Sequence, residues 1–399
     1  MAMKAIIPAR KTEIIKYAIR DIIILADEVA KSGKEMFYLN IGDPNVYDFS
    51  TPDHIIEVAC KALKDNLNGY APSSGIEKAR DAIREDAEKK GIKNILDVFV
   101  TSGAAEAIEV SLTALLNSGD NFLLPSPGYP LYKALESKLE CESNTYYLDE
   151  ENGWQPDVED IRSKVNSRTK AIVLINPNNP TGSLCTREVL EEIMEIAVEN
   201  NLVIFADEIY DKLIFDDGEM ISIASVNPDA SCITFSGMSK NFMTPGWRMG
   251  WGIISGKKEF LQEYIEAINK ILRSRVSANH PLSHAIAPAL LGDQSHIKEN
   301  IEKLKSRRDL IMDSINKIDG IELAKPQAAF YAFPKIEVED DRDFCKELLR
   351  ETGVVTVPGD GFGQRPGSHH FRVVICASED TLRRSFDLIA RFYESYKLR

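Results

Sequence analysis

The chain has 399 residues, with 62 Asp and Glu against 48 Lys and Arg for a formal net charge of −14, and is 44% hydrophobic and 28% charged. That acidic excess argues against nucleic acid and anionic membrane surfaces as partners, since both select for Lys and Arg. The balance of apolar and charged residues excludes a disordered or fibrous chain, and the length predicts two or so lobes.

The N-terminus, MAMKAIIPARKTEIIKYAIRD, is broken by charge every few residues and lacks the apolar run of a secretory signal. Residues 12–31 carry apolar side chains at helical spacing, and FYLNIGDP reads as a short strand entering a Gly-Asp-Pro turn. From about residue 51, helices alternate with short apolar strands. HIIEVACKALKDNL is helical; NILDVFVTSG is a strand that precedes the helix AAEAIEVSLTALL; NFLLPSPGYP is a strand and a Pro-rich loop. AIVLINPNNPTG is a strand and loop before the helix REVLEEIMEIAVEN, and LVIFADEIYD and CITFSGMSK are strands ending in polar residues. Lys258–Arg275 is a long charged helix. Beyond Pro288 come further helices, the strand AFYAFPKI, and FRVVICAS.

This alternation predicts an α/β fold with a mostly parallel sheet and helices on both faces. The expected organisation is an N-terminal segment, 1–50, joining a smaller α+β lobe at 290–399, with a large lobe at 51–289 between them. Ligands of open α/β sheets bind beyond the carboxyl ends of the strands. The unusual loops fall there: Ser102–Ala105, Ser126–Tyr129, Asn176–Gly182, Asp207–Tyr210 and Ser236–Lys240. The apolar runs, such as Ala171–Ile175, are far too short to cross a membrane. Six scattered cysteines without a CxxC pair fit free thiols in a reducing compartment, so a cytoplasmic location is expected.

Asp207, in FADEIYD, follows a buried apolar strand and must be desolvated, cap a helix or face a cation. Lys240, in SGMSKNF, follows another such strand, where a lone lysine is ordinarily a solvated charge. Arg248, in PGWRMGW, is flanked by Gly246 and Gly250, small residues that let the backbone approach a ligand while the guanidinium meets a phosphate. An acid, an amine and a phosphate-binding arginine together match pyridoxal phosphate, which needs an amine for an imine, a carboxylate at its ring nitrogen and cationic donors for its phosphate. His280 and His284 have helical spacing, but Pro281 intervenes and no Glu completes a zinc motif, so no metal is expected.

NPNNPTG at 176–182, DEIYD at 207–211 and SGMSKNFMTPGWRMGW at 236–251 are joined by weaker motifs in the same order: LNIGDP at 39–44, YAPSSGIEKAR at 70–80, AAFYAFP at 328–334 and HFRVVICASE at 370–379. On these motifs the chain resembles the class I and II aminotransferases of pyridoxal-phosphate fold type I, over essentially its whole length. The resemblance implies that Lys240 carries the cofactor as an imine and moves the proton between substrate and cofactor. It implies that Asp207 pairs with the pyridine nitrogen, that Tyr210 and Asn179 hydrogen-bond the ring oxygen, and that Tyr129 stacks on the ring. Arg248, the amides of Gly103, Ala104 and Ala105, and the hydroxyls of Ser236 (the preferred serine) and Ser239 are implied phosphate ligands. Arg372 is implied to grip the substrate α-carboxylate in a two-pronged pair, with the Gly42 amide and Asn179 beside it. Tyr70 matches a tyrosine that reaches the phosphate of the neighbouring subunit, which implies a homodimer with shared sites. Pro245 and Ala328 depart from the family pattern at positions that tune the backbone.

The implied reaction exchanges an amino group between an L-amino acid and a 2-oxo acid in a ping-pong cycle. ILRSRVSANHPLSHAIAPALLG resembles a segment of the alanine aminotransferases, and Ala104 and Ala105 stand where one bacterial aspartate aminotransferase type carries a lysine. Alanine:2-oxoglutarate is therefore the first expectation and aspartate:2-oxoglutarate the second. A C–S lyase of the same fold and a regulatory protein that kept the site are the other readings. Arg273 and Arg275 are candidates for reaching a distal substrate carboxylate across a dimer interface.

Overall fold

The computed structural model describes residues 5–12 and 18–398. In chain order the first elements are α1 (Ala18–Ala30), β1 (Phe37–Tyr38), α2 (Asp53–Lys64), α3 (Glu77–Lys89), β2 (Ile95–Thr101), α4 (Ala104–Leu115), β3 (Asn121–Ser126), α5 (Leu131–Leu139), β4 (Glu142–Asp149), β5 (Gln155–Pro156) and α6 (Val158–Lys164). There follow β6 (Thr169–Ile175), α7 (Arg187–Glu199), β7 (Val203–Asp207), β8 (Cys232–Gly237), α8 (Met238–Asn241), β9 (Gly250–Ser255), α9 (Lys258–Ser274), α10 (His280–Ser283), α11 (Ile286–Leu291) and α12 (Ser295–Ile315). The chain ends with β10 (Ile321–Glu322), β11 (Tyr331–Ala332), β12 (Lys335–Ile336), α13 (Asp341–Thr352), β13 (Val354–Val355), β14 (Val357–Pro358), β15 (Phe371–Val374) and α14 (Glu379–Tyr396). The helix expected over 12–31 corresponds to α1; residues 13–17 lie outside the described residues.

Eight strands make one sheet in the order β2-β9-β8-β7-β6-β3-β4-β5. From β8 through β4 every pairing is parallel. Strand β9 is antiparallel to both neighbours, so β2 runs with the majority. Alternate side chains of a strand point to opposite faces, and here both faces are covered. Val98, Val100, Ile172, Leu174, Ile204 and Ala206 enter one core with α2, α3 and α7. Phe99, Val173, Phe205 and Phe235 enter the other, against Ile108 and Leu112 of α4 and Ile268 and Leu272 of α9. Burying each such side chain contributes about 1.5–3 kcal/mol, which is why these strands read as continuous apolar runs. The expected α/β fold with a mostly parallel sheet is what the chain adopts.

A further apolar core joins Leu304 and Ile311 of α12, Phe344 and Leu348 of α13, and Phe386 and Ile389 of α14 to β11 and β15. The N-terminal segment packs on the same side of the molecule. Strand β1 pairs in parallel with β13, Phe37 opposite Val354, and Ile22 and Ala26 of α1 pack on Leu349 and Val355.

Six strands escaped the sequence reading: β5, β10, β13 and β14 are two-residue pieces, while β4 and β9 are longer. At eight residues β4 is long, but ESNTYYLD buries only Tyr146 and Leu148 and has no apolar run. Strand β9 begins inside the Gly-rich WRMGW segment, whose glycines hide its strand character. Conversely, FYLNIGDP and AFYAFPKI shrink to two-residue strands. Beyond β1 the Leu39 carbonyl accepts from Val374 N at 2.9 Å and its N–H donates to Val355 O at 2.9 Å, which pins the chain between two segments instead of along one partner. Among the described residues no helix is long and apolar enough to cross a membrane, and the six cysteines are free thiols.

Candidate active site

Because β2, β3, β6, β7 and β8 share one direction, their carboxyl ends meet at a single edge of the sheet. Strand β9 enters from that edge in the opposite sense, with Gly250 opposite Thr101 at the end of β2. This antiparallel entry brings the turn bearing Arg248 next to the start of α4. At that edge lies a cavity of about 200 Å³ whose wall includes Gly42, Tyr129, Asn179, Asp207, Lys240 and Arg372.

Lys240 sits in α8, a four-residue helix directly after β8. Its Nζ donates to the Gly42 carbonyl at 2.9 Å. The rings of Phe330 and Tyr210 lie 5.3 Å and 5.9 Å from the nitrogen. Burial pushes the amine down to about 8, opposed by the nearby Cys376 and Asp43 and aided by the positive charges of Arg372 and Arg248. An amine so tuned is about half neutral near pH 8, which gives a nucleophile or base a usable unprotonated fraction.

Asp207 ends β7 and is 4% exposed. Oδ2 accepts a hydrogen bond from the Tyr132 hydroxyl at 3.2 Å, whereas Oδ1 is buried with no hydrogen-bond partner among the described residues. Burial pushes the carboxyl up to about 6, against the lowering effect of Tyr132 and of the Ile209 backbone. Burial and the adjacent carboxylate push Tyr132 well above the ordinary phenol range, so it stays a donor. One carboxylate oxygen is thus held by Tyr132, and the other is left as a buried acceptor in a residue of the cavity wall.

Arg372, on β15, is 1% exposed. Nη1 donates to Asn179 Oδ1 at 3.1 Å and Nη2 to the Asn40 carbonyl at 2.6 Å. The guanidinium carbon lies 4.4 Å from the Tyr331 ring centroid and 4.7 Å from that of Phe362. Neutral acceptors and ring faces solvate the charge. The Tyr331 hydroxyl is 2.9 Å from that of Tyr210, and burial followed by this neighbour holds Tyr210 well above the usual phenol range.

The third cation faces the start of α4. Gly103 caps that helix at φ +86°, a left-handed conformation that favours glycine. A side chain there would overlap the Arg248 guanidinium, and one on Gly250 would overlap the Ala104 amide nitrogen. Backbone and guanidinium therefore approach as closely as the absence of a Cβ permits. Arg248 itself adopts φ +54° and donates Nη1 to the Pro245 carbonyl at 2.9 Å. First-turn N–H groups lack intrahelical acceptors, so Ala104, Ala105 and Arg248 make a corner of donors whose chemistry suits an anion.

The cavity brings together Gly42, Ala104, Ala105, Tyr129, Asn179, Asp207, Tyr210, Ser239, Lys240, Arg248 and Arg372, eleven of the residues singled out in the sequence. Ser236 lies in β8 opposite Trp251, 3% exposed, and of the two serines Ser239 is the one on the wall. Gly103 stands behind the corner and shapes it. Tyr70 lies away from the cavity of its own chain and is 85% exposed. Arg275 donates to the Val100 and Ser73 carbonyls of its own chain at 2.6 Å and 3.2 Å. Tyr331 and Tyr132 were not singled out as site residues. Tyr331 stood within AAFYAFP as one aromatic among three, and nothing in the sequence marked Tyr132, which packs in the core. Pro245, noted as a departure, lines the cavity, while Ala328 is fully buried and paired with Ile214 without a left-handed φ. Among the described residues no cluster of His, Cys, Asp and Glu could hold a metal ion.

The sequence of residues 34–389 matches the family model "Aminotransferase class I and II". It is 39% identical to the glutamate-pyruvate aminotransferase AlaA of Escherichia coli K12, over 99% of each chain. The fold superposes on an alanine aminotransferase from Pyrococcus furiosus with a TM-score of 0.94, at 39% identity, covering 98% of this chain and 100% of that one. It superposes on a single mutant of Thermus thermophilus aspartate aminotransferase with a TM-score of 0.88, at 29% identity, again covering 98% and 100%.

Proposed function

The chain belongs to the class I and II aminotransferases and transfers amino groups, and on that premise we propose that it exchanges an amino group between alanine and 2-oxoglutarate with pyridoxal phosphate as cofactor. The observation that carries this reading is the convergence of Lys240, Asp207 and Arg372 on one cavity wall. The residues fit the cofactor. A protonated ring nitrogen would supply the donor that Asp207 Oδ1 lacks among the described residues, and the corner of Ala104, Ala105 and Arg248, kept open by Gly103 and Gly250, suits a phosphate.

When bound, pyridoxal phosphate supplies a carbonyl for amines and a protonated ring that draws electrons from the substrate Cα. Asp207 would hold that ring protonated, with Tyr132 tying up its Oδ2. Arg248, Ser239 and the Ala104 and Ala105 amides would hold the phosphate, Tyr129 would meet the ring face, and Tyr210 and Asn179 would hold the ring oxygen. Arg372 binds the substrate α-carboxylate and fixes which Cα bond faces the catalytic amine. Lys240 Nζ would take the proton from the substrate Cα and hand one back, a transfer its lowered basicity suits.

Alanine over aspartate is supported by the alanine and glutamate-pyruvate names of relatives at 39% identity, against 29% for the aspartate enzyme. Those names also favour transamination over C–S cleavage. A panel of amino donors with 2-oxoglutarate tests the reading. Alanine is expected to give the largest kcat/KM, with stoichiometric pyruvate and glutamate. A preference for aspartate, or pyruvate with ammonia from cysteine or cystathionine, would overturn it.

The reading includes a homodimer with shared sites, and the six free thiols support a reducing, cytoplasmic setting. The exposed Tyr70 ring supports a role beyond its own subunit. Mixing inactive Tyr70→Ala and Lys240→Ala subunits is expected to regenerate up to about a quarter of the wild-type sites. No recovery, with subunit exchange confirmed by mass, would count against sharing.

A further inference from the structure

We propose that Glu106 and Arg275 are positioning residues for the anion-binding corner: Glu106 fixes the turn that opens α4, and Arg275 cancels the charge of Glu106 so that it does not repel a bound phosphate. The inference rests on the reading of Ala104, Ala105 and Arg248 as the phosphate site.

Glu106 lies in the first turn of α4, and its Oε2 accepts from the Ser102 backbone N–H at 2.6 Å. Such a charge-assisted bond is stronger than a neutral one. It complements the bonds that shape the turn, in which Gly103 N donates to Thr101 O at 2.9 Å and Thr101 Oγ1 to Gly103 O at 3.0 Å. By satisfying Ser102, Glu106 leaves the following amides for a ligand. The same carboxylate carries a liability. It occupies the positive end of the helix, the field a phosphate uses, and its charge has the phosphate's sign.

Arg275 offsets that charge. Its Nε lies 3.2 Å from Glu106 Oε1, with the two side chains 16% and 27% exposed, so water screens the pair only in part. Its Nη2 is tied to the Val100 carbonyl at 2.6 Å and the Ser73 carbonyl at 3.2 Å. The guanidinium therefore sits at the junction of β2, the loop that follows Tyr70, and α4. Burial lowers the basicity of Arg275 and Glu106 raises it, which fits a pair that relies on both charges.

Titration of the apoprotein with pyridoxal phosphate, and in parallel with the phosphate-free analogue pyridoxal, tests the pair. Arg275→Met is expected to raise the dissociation constant of pyridoxal phosphate about tenfold, as befits a half-buried ion pair, and to leave that of pyridoxal unchanged. Arg275→Met combined with Glu106→Gln is expected to return to within about threefold of wild type, because the amide oxygen still accepts from Ser102 without the charge. Arg275→Lys, a milder change that keeps the cation, is expected to stay in the same range. Wild-type affinity in Arg275→Met, no recovery in the double variant, or an equal loss for pyridoxal would overturn the inference while the cofactor site stands. A wild-type protein that binds no pyridoxal phosphate would overturn the reading of the site and the inference with it.

Discussion

Lys240→Ala is expected to lower transamination by about 10^4-fold or more and to abolish covalent capture of pyridoxal phosphate, while leaving the fold intact. The amine is a nucleophile on the cavity wall, and among the described residues no other lysine lines it. Its removal costs little stability. Lys240 contributes one hydrogen bond, to Gly42, and its amine is held below its ordinary basicity by burial, so the charged form is already disfavoured in the folded state. The thermal midpoint of the variant should therefore match or slightly exceed that of wild type. Borohydride reduction followed by peptide mapping supplies the second readout. A reduced adduct on any other lysine would remove Lys240 from its role.

The sign of the pH dependence follows from the same burial. With the amine at about 8, roughly a tenth of it is neutral at pH 7, against less than about a thousandth for an unperturbed lysine. Cofactor capture by the apoprotein is expected to quicken about tenfold per pH unit below that value and to level off above it. A rate that keeps climbing to pH 10 would mean that the amine is not held down.

How far the site can be read from sequence depends on where each residue's partner lies. Asp207, Lys240 and Arg248 were legible because each follows or precedes a run that only a buried strand explains, and strand ends of a parallel sheet converge. Arg372 and Asn179 are 193 positions apart and hydrogen-bonded, a contact that comes from the resemblance to a family and not from any local pattern. Tyr132 stayed hidden because it does two things at once. It packs into the core from the first turn of α5 and donates to Asp207, and only the first leaves a periodic signature. The Glu106–Arg275 pair was hidden for a different reason. Arg275 was noticed as a cation, but its direction depends on the packing of α9 against α4, which the helical pattern of either segment leaves undetermined. The antiparallel entry of β9 had no sequence mark at all, though it is what seats Arg248 beside Gly103. The net charge of −14 likewise says little about the cavity, where Lys240, Arg248 and Arg372 make the local field positive.

Arg372→Ala is expected to lower kcat/KM for alanine by about 10^2- to 10^3-fold, equivalent to about 3–4 kcal/mol of carboxylate binding, with the cofactor still bound. The guanidinium is 1% exposed and its fork is fixed by the Asn40 carbonyl and Asn179 Oδ1, so it is oriented before substrate arrives and little ordering is left to offset the pairing. Arg372→Lys keeps a charge but loses the two-pronged geometry and should recover only part of the loss. The effect has a rival cause, since Asn179 loses a donor and the Tyr331 ring loses its cation, and either shift could disturb the ring site. Alanine and ethylamine separate the two causes, because they differ by the α-carboxylate alone. If Arg372 binds that carboxylate, the single-turnover preference of wild type for alanine over ethylamine collapses in Arg372→Ala, while the slow rate with ethylamine is hardly altered. If the substitution merely disturbs the ring site, both amines slow together and the preference survives, which would take Arg372 out of substrate binding.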